Sequence, residues 1–212
     1  MENASERLRS VLTERANKLP VEMQRRLLLA GQIVVFGSFA SSLETGSSDL
    51  DVFCVGDCRT HFKSSTIEIL ILPEYDLYSE LWLGSELANH ISSYGVPLDS
   101  RPDWFDHAKV GAAAAARKER RINTYIQSLE KHWPELSSGA KSRYAIKIRR
   151  ELQRLQLLRS GKPVPPTVLL DRDTELIEQL DAGNSSSLLN SPFKRFRDLF
   201  AEAPSAGTAL GG

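Results

Sequence analysis

Two aspartates one residue apart, Asp49 and Asp51, are the residues of this chain whose spacing best suits chemistry on a phosphate. They alternate with the apolar Leu50 and Val52, so in a β-strand both carboxylates lie on one face. Two adjacent carboxylates repel each other, and a divalent cation between them removes that cost. Mg²⁺ and Mn²⁺ favour such oxygen ligands and complete their coordination with phosphate oxygens. The pair therefore predicts a divalent-metal site.

A third carboxylate, Glu68, interrupts the apolar run TIEILIL (66–72). If this strand lies beside the strand DVFCV (51–55), Glu68 faces the same site as the two aspartates. Three acidic groups around two metals activate an acceptor hydroxyl and stabilise a departing pyrophosphate. The alternative is a charge that protects an edge strand from aggregation.

Gly37 and Ser38 directly follow the apolar run IVVF (33–36), which is typical of a buried strand. Glycine permits close approach of the backbone to a ligand, and a serine at a helix start offers an N–H and a hydroxyl to an anion. Ten residues separate Ser38 from Asp49. The segment therefore predicts a phosphate-binding turn ahead of the acidic strand.

Gly37-Ser38, the ten-residue spacing and Asp49-x-Asp51 together resemble the signature of the nucleotidyltransferase superfamily related to DNA polymerase beta. The pattern is most similar to the bacterial minimal nucleotidyltransferases, which include antitoxin partners of helical toxins, and to aminoglycoside nucleotidyltransferases. The resemblance covers about residues 20–107, where 77–99 is similar to the helix and end segment after the third strand. It implies an α/β (α+β) fold with a small mixed sheet, followed here by a C-terminal helical domain.

The resemblance also implies roles for individual residues. Asp49, Asp51 and Glu68 would ligate Mg²⁺ or Mn²⁺. Gly37, Ser38 and Ser48 would contact an NTP, with ATP as the expected nucleotide. The implied reaction moves a nucleoside monophosphate to an acceptor hydroxyl and releases pyrophosphate.

Three features depart from the family pattern. Many relatives carry Ala-Arg-Gly where this chain has Ala40-Ser41-Ser42, so a basic group near the phosphates is lost. The polar connection GDCRTHFKSS (56–65) leaves no room for the helix that many minimal members carry between the second and third strands. The third acid is Glu68 rather than the commoner Asp.

The net charge of zero conceals an asymmetry between the two halves of the chain. Residues 1–107 carry 9 basic and 16 acidic residues, whereas 117–162 carry 13 basic and 4 acidic ones. An acidic half followed by a basic half indicates two modules. We expect a catalytic domain at 1–107, a basic helical domain at 108–200 and a disordered tail at 201–212.

Helical periodicity supports this division. It predicts helices at 4–18, 20–30, 77–94, 112–131, 140–159 and, more weakly, 172–180, with a short element at 193–200. On the 140–159 helix, Arg143, Lys147, Arg150 and Arg154 form one basic stripe. This stripe could bind RNA phosphates, or Arg143, Lys147 and Arg150 could contact the NTP triphosphate. The alternative is an ordinary solvated helix face, and the cluster of Arg117, Lys118, Arg120 and Arg121 has the same two interpretations.

The acceptor cannot be read from the sequence, and three classes stay open. An RNA or tRNA 3′ end suits the basic half, a protein side chain suits the small size, and an aminoglycoside-like molecule suits the acidic half. A catalytically degenerate fold that only binds RNA or a partner protein is the competing hypothesis, supported by the neutral Ser41. No run approaches a membrane span, and Cys54 and Cys58 are expected to be reduced, which predicts a cytoplasmic protein without a membrane partner.

Overall fold

Residues 4–170 are described by a computed structural model, and they divide into two compact units. The first unit runs to Gly111 and includes the segment Pro163–Leu169, and the second contains Ala112–Lys162 and Leu170. The predicted elements at 172–180 and 193–200, and the tail at 201–212, lie outside the described residues.

The α-helices of the described chain are α1 (Ala4–Ala16), α2 (Val21–Leu28), α3 (Gly37–Ala40), α4 (Glu74–Leu77), α5 (Glu80–Leu83), α6 (Glu86–Tyr94), α7 (Ala112–His132), α8 (Ser138–Arg159) and α9 (Thr167–Leu170). The strands are β1 (Gln32–Phe36), β2 (Leu50–Gly56), β3 (Thr60–Lys63), β4 (Ile67–Pro73) and β5 (Val96–Pro97). Short 3₁₀ helices cover Asp103–His107 and Trp133–Glu135.

A five-stranded mixed sheet with the order β3-β4-β2-β1-β5 forms the centre of the first unit. β2 and β4 are parallel neighbours, and the other adjacent pairs are antiparallel. The predicted α/β fold with a small mixed sheet is therefore confirmed. The strands that carry Asp51 and Glu68 lie side by side. The prediction that Glu68 shares a site with the aspartates required this arrangement.

Alternation along β2 and β4 divides the apolar residues between two cores. Val52 and Cys54 of β2 and the three isoleucines of β4 pack with buried residues of α1 and α2, such as Leu8 and Met23. On the other face, Phe53 stacks on Trp82 with ring centroids 5.2 Å apart, and both belong to a cluster that includes Trp104. Because neighbouring side chains point to opposite faces, Asp51 and Glu68 share the Phe53 face of the sheet.

Two sequence predictions for this unit need correction. The polar connection 56–65 contains β3, which pairs antiparallel with the outer edge of β4. Its burial pattern alternates between half-buried and exposed, so it lacks the apolar signal of a core strand. The predicted helix at 77–94 is instead two shorter helices, α5 and α6, which follow the end of α4 at Leu77, because Ser79 and Ser85 each cap a new helix with their side chains.

The second unit contains the antiparallel neighbours α7 and α8, close to the predicted 112–131 and 140–159. Ile122 and Ile126 of α7 pack with Ile148 and Leu152 of α8, so the predicted apolar stripes form a shared core. Within the described residues 4–170, no helix combines the length and the apolar character needed to span a membrane.

Candidate active site

Three carboxylates converge at one end of the sheet. Asp49 immediately precedes β2, Asp51 is its second residue, and Glu68 is the second residue of β4. Asp51 lies directly opposite Glu68 in the parallel register of the two strands. One oxygen from each of the three side chains lies within 4.8 Å of the others, and all three residues are half-buried. The structure thus brings together the three acids that the sequence singled out.

Gly37 closes the site on the β1 side. β1 ends opposite Asp51, and the chain then turns into α3 with Gly37 at a φ of +73°. A Cβ atom on Gly37 would lie 2.1 Å from Oδ2 of Asp51, a distance that no side chain can accept. A glycine is therefore required here twice, for the left-handed backbone and for the close approach of the carboxylate.

The electrostatics of the triad match a cation site. Burial, together with the charges of Asp49 and Glu68, raises the pKa of Asp51 from 3.8 to about 7, and the charge of Lys63 acts in the opposite direction. An acid whose ionised form is this unfavourable gains from a nearby positive charge. Three carboxylate oxygens in reach of one another are the ligand type that Mg²⁺ and Mn²⁺ prefer, so the residues present fit a hard divalent cation.

Two side chains of β3 to which the sequence assigned no role contact the third acid. Lys63 Nζ donates to Oε2 of Glu68 and lies 3.5 Å from Oδ2 of Asp49. His61 Nε2 lies 2.8 Å from Oε1 of Glu68. Burial raises the pKa of Glu68, but the hydrogen bonds from Lys63 and His61 outweigh it and leave that pKa below its usual value. Both residues were missed because β3 itself was predicted as a loop.

Two arginines of α1 contact the segment from α3 to the start of β2. Arg15 donates to the backbone carbonyls of Ser48, at 3.2 Å, and Thr66, which precede the acidic residues of β2 and β4. Its guanidinium also lies 4.5 Å from the ring centroid of Phe39. Arg7 pairs with Glu44 and donates to the Phe39 carbonyl at 3.0 Å. α1 therefore holds the segments that carry the triad.

The predicted phosphate-binding serines occupy different settings. Ser38 is half-buried in the single turn of α3, and its carbonyl accepts the N–H of Leu43 at 2.9 Å. The hydroxyl of Ser48 accepts the backbone N–H of Thr45 at 2.9 Å and so helps to form the turn before Asp49. Contacts of Gly37, Ser38 and Ser48 with a nucleotide stay predictions.

The predicted basic stripe lies on α8 in the second unit, and its members differ in their surroundings. Arg143 and Lys147 are exposed, with Lys147 Nζ 4.6 Å from the ring centroid of Tyr125. Arg150 and Arg154 are half-buried, and Arg154 pairs with Glu151 at 3.1 Å. Binding of phosphates by this stripe also stays a prediction.

The basic cluster of α7 contains one residue that cannot be a solvated charge. Lys118 is only 3% exposed and pairs with Glu151 of α8 at 2.9 Å. The pKa of Glu151 is raised by burial, but Lys118 and Arg154 outweigh this and keep it below its usual value. Lys118 is therefore part of the α7–α8 core.

A surface pocket of about 460 Å³ lies at the opposite end of β2, lined by residues such as Arg25, Gly56, Asp57 and Glu74. None of the triad residues lines it. The pocket is therefore separate from the three carboxylates.

Part of the chain matches a known protein family. Residues 17–91 match the family described as the nucleotidyltransferase domain, a match that includes the glycine-serine turn and all three acids. The match covers about a third of the chain, and the predicted membership of the polymerase-beta-like superfamily is confirmed.

A solved structure is also similar to the chain. It is a nucleotidyltransferase-like protein from Exiguobacterium sibiricum 255-15, which is 15% identical with a TM-score of 0.43. That match covers 94% of this chain and 75% of the other. No curated protein matches the chain. The substrate of the nucleotidyltransferase domain has to be inferred from its own residues.

Proposed function

We propose that the nucleotidyltransferase domain transfers a nucleoside monophosphate from an NTP, with ATP as the expected nucleotide, to an acceptor hydroxyl. Pyrophosphate is the second product. The observation that carries the proposal is the convergence of Asp49, Asp51 and Glu68 within a domain of this family. Bound Mg²⁺ or Mn²⁺ would polarise the phosphoryl oxygens and stabilise the charge that develops on the leaving pyrophosphate.

The residues of the chain divide the remaining tasks. Asp49 and Asp51 hold the cation, and Gly37 keeps the backbone close enough to fix the orientation of the Asp51 carboxylate. Glu68 provides the third carboxylate on the acceptor side of the site and assists deprotonation of the attacking hydroxyl. Gly37, Ser38 and Ser48 border the triad and bind the phosphates of the nucleotide.

Incubation of the protein with each α-³²P-labelled NTP, Mg²⁺ or Mn²⁺ and cell extract tests the reaction. We expect transfer of label by the parent protein and its loss in Asp49→Asn and Asp51→Asn. Glu68→Gln should lose transfer while it retains nucleotide binding. Asp57→Asn is a matched control, because Asp57 is an exposed aspartate at the other end of β2 and should not matter. Transfer that survives in both Asp49→Asn and Asp51→Asn would refute the proposal.

For the acceptor we propose an RNA 3′ end, such as that of a tRNA, because exposed cations lie along α8. Arg143 and Lys147 are the exposed members of the stripe, whereas Arg154 is already paired with Glu151. Cations that contact phosphates release counterions, so each lost contact lowers the slope of log affinity against log salt by about 0.7–0.9. The double variant Arg143→Gln/Lys147→Gln should bind RNA more weakly and with a smaller slope.

Lys131→Gln is the matched control, since Lys131 is exposed on α7 and lies outside both the stripe and the basic cluster of α7. Identical RNA binding by parent and double variant at every salt concentration would contradict an RNA acceptor on this stripe. Label recovered in protein or in an aminoglycoside-like molecule would identify those acceptor classes instead. Retained RNA binding with lost NTP affinity would favour contacts of Arg143 and Lys147 with the triphosphate, and Arg150→Gln would then test Arg150 in the same way. RNA binding without any transfer would favour the degenerate alternative.

A further inference from the structure

Lys63 occupies the side of the triad formed by Glu68 and Asp49. It is the last residue of the edge strand β3 and lies directly opposite Glu68 in the antiparallel register. Its Nζ donates to Oε2 of Glu68 and lies 3.5 Å from Oδ2 of Asp49. A positive charge is thus already present between two of the three proposed metal ligands.

The contacts of Glu68 leave little room for a second cation at this position. Lys63 engages one of its carboxylate oxygens and His61 Nε2 lies 2.8 Å from the other. A divalent cation that uses the same oxygens would stand a few ångströms from the ammonium group, where like charges repel strongly. Lys63 and a cation bound to Glu68 are therefore mutually exclusive.

Lys63 is also able to leave. Its side chain is 57% exposed and is attached to an edge strand, so the ammonium group can move into solvent without disturbing the core. Exposed ion pairs of lysine are individually weak, because water competes for both charges. The arrangement is therefore a reversible counter-ion and not a permanent structural bridge.

We propose that Lys63 competes with the divalent cation for the Glu68 side of the triad. Its ammonium group occupies that side until the cation displaces it. This inference rests on the proposed metal-dependent function of the same site. Lys63 then sets the divalent-cation concentration at which that side of the site fills. It reduces the repulsion among the three carboxylates when the cation is absent.

Titration of the full chain with Mn²⁺ alone tests the proposal without relying on activity. The electron paramagnetic resonance signal of the free ion measures how much Mn²⁺ is bound. Lys63→Gln should bind Mn²⁺ about tenfold more tightly than the parent, since it removes the repelling charge. Lys63→Arg retains the charge and should bind like the parent. Lys109→Gln is a matched control at an exposed lysine of the same unit.

The proposal would be overturned if Lys63→Gln and the parent bound Mn²⁺ with affinities that agree within twofold. It would also be overturned if Lys63→Arg bound Mn²⁺ as tightly as Lys63→Gln is expected to. Asp49→Asn separates this failure from failure of the proposed function. If Asp49→Asn loses Mn²⁺ and Lys63→Gln matches the parent, only the role of Lys63 is refuted. If neither the parent nor Lys63→Gln binds Mn²⁺, both proposals fall. Far-ultraviolet circular dichroism, with Lys63→Met as a second neutral variant, verifies folding.

Discussion

Replacement of Gly37 by alanine should damage the site more than the fold. The residue has a φ of +73°, and an added Cβ would lie 2.1 Å from Oδ2 and 3.1 Å from Cγ of Asp51. Two effects add: the backbone is forced into a conformation that disfavours alanine, and the carboxylate of Asp51 has to move aside. The second effect removes a proposed metal ligand from its position.

The size of each effect can be estimated separately. A left-handed backbone costs a non-glycine residue about 1–2 kcal/mol. Displacement of Asp51 to an unfavourable side-chain torsion adds about 0.5–1.5 kcal/mol. We therefore expect Gly37→Ala to lower the free energy of unfolding by about 1.5–3.5 kcal/mol. Misplacement of a ligand's support should weaken metal binding by about 10–100-fold.

Urea denaturation and Mn²⁺ titration of the same variants measure both quantities. Gly46→Ala is a control in which both effects are absent, because no atom lies within 4 Å of the added Cβ and the backbone of Gly46 is not left-handed. Gly161→Ala is the control for backbone strain alone, because its φ is +67° and its surroundings are open. Both controls should retain the parent's Mn²⁺ affinity. Parent-like Mn²⁺ affinity in Gly37→Ala would refute the view that Gly37 positions Asp51.

Three further outcomes are expected. Arg15→Ala should weaken Mn²⁺ binding in the same titration, because the carbonyls of Ser48 and Thr66, which precede the acidic residues, lose their donor. Arg9→Ala is the control and should not weaken Mn²⁺ binding, since Arg9 pairs with Asp99 at 2.6 Å. Equal losses of Mn²⁺ affinity in the two variants would contradict the role of Arg15. Since the pKa of Asp51 is raised in the folded state, the metal-free protein should lose stability as pH rises from 3.8 to about 7. Urea denaturation at several pH values measures this loss, and Asp51→Asn should make the free energy of unfolding less dependent on pH in that range. An unchanged pH dependence in Asp51→Asn would refute the raised pKa of Asp51. Lys118→Met should cost about 1.5–3 kcal/mol, as measured by thermal melting, because Glu151 loses its buried partner Lys118 and keeps Arg154. Lys118→Met/Glu151→Leu should recover part of this loss, and a double variant no more stable than the single one would contradict the pairing.

The parts of the site that the sequence could predict are those with a strong local pattern. Apolar runs of strand length identified β1, β2 and β4, and alternation placed Asp49 and Asp51 on one face before any pairing was known. The pairing of β2 with β4 was only a condition at that stage, because nothing in two apolar strands specifies that they are neighbours. The register that sets Asp51 opposite Glu68 is a property of the assembled sheet.

The parts that could not be predicted depend on contacts between distant segments. β3 is four residues long and half-exposed, so its composition is that of a polar connection, and its place at the edge depends on β4. The roles of Lys63 and His61 could not be seen without that strand. Lys118 illustrates the opposite error, since a lysine in a basic run is usually solvated, and only the position of Glu151 on α8 makes it a buried partner.

The neutral residue at position 41 was the best sequence support for a degenerate fold, and the structure weakens that argument. Ser41 donates its hydroxyl to the Gly37 carbonyl at 3.1 Å, so it stabilises the turn that carries the glycine. Arg7 and Arg15 of α1 bind the carbonyls of Phe39 and Ser48 and supply positive charge to the same loop. Anchoring of the loop therefore does not require a basic residue at position 41. Because the glycine and the three acids keep their geometry without one, loss of that arginine is by itself no reason to expect an inactive domain.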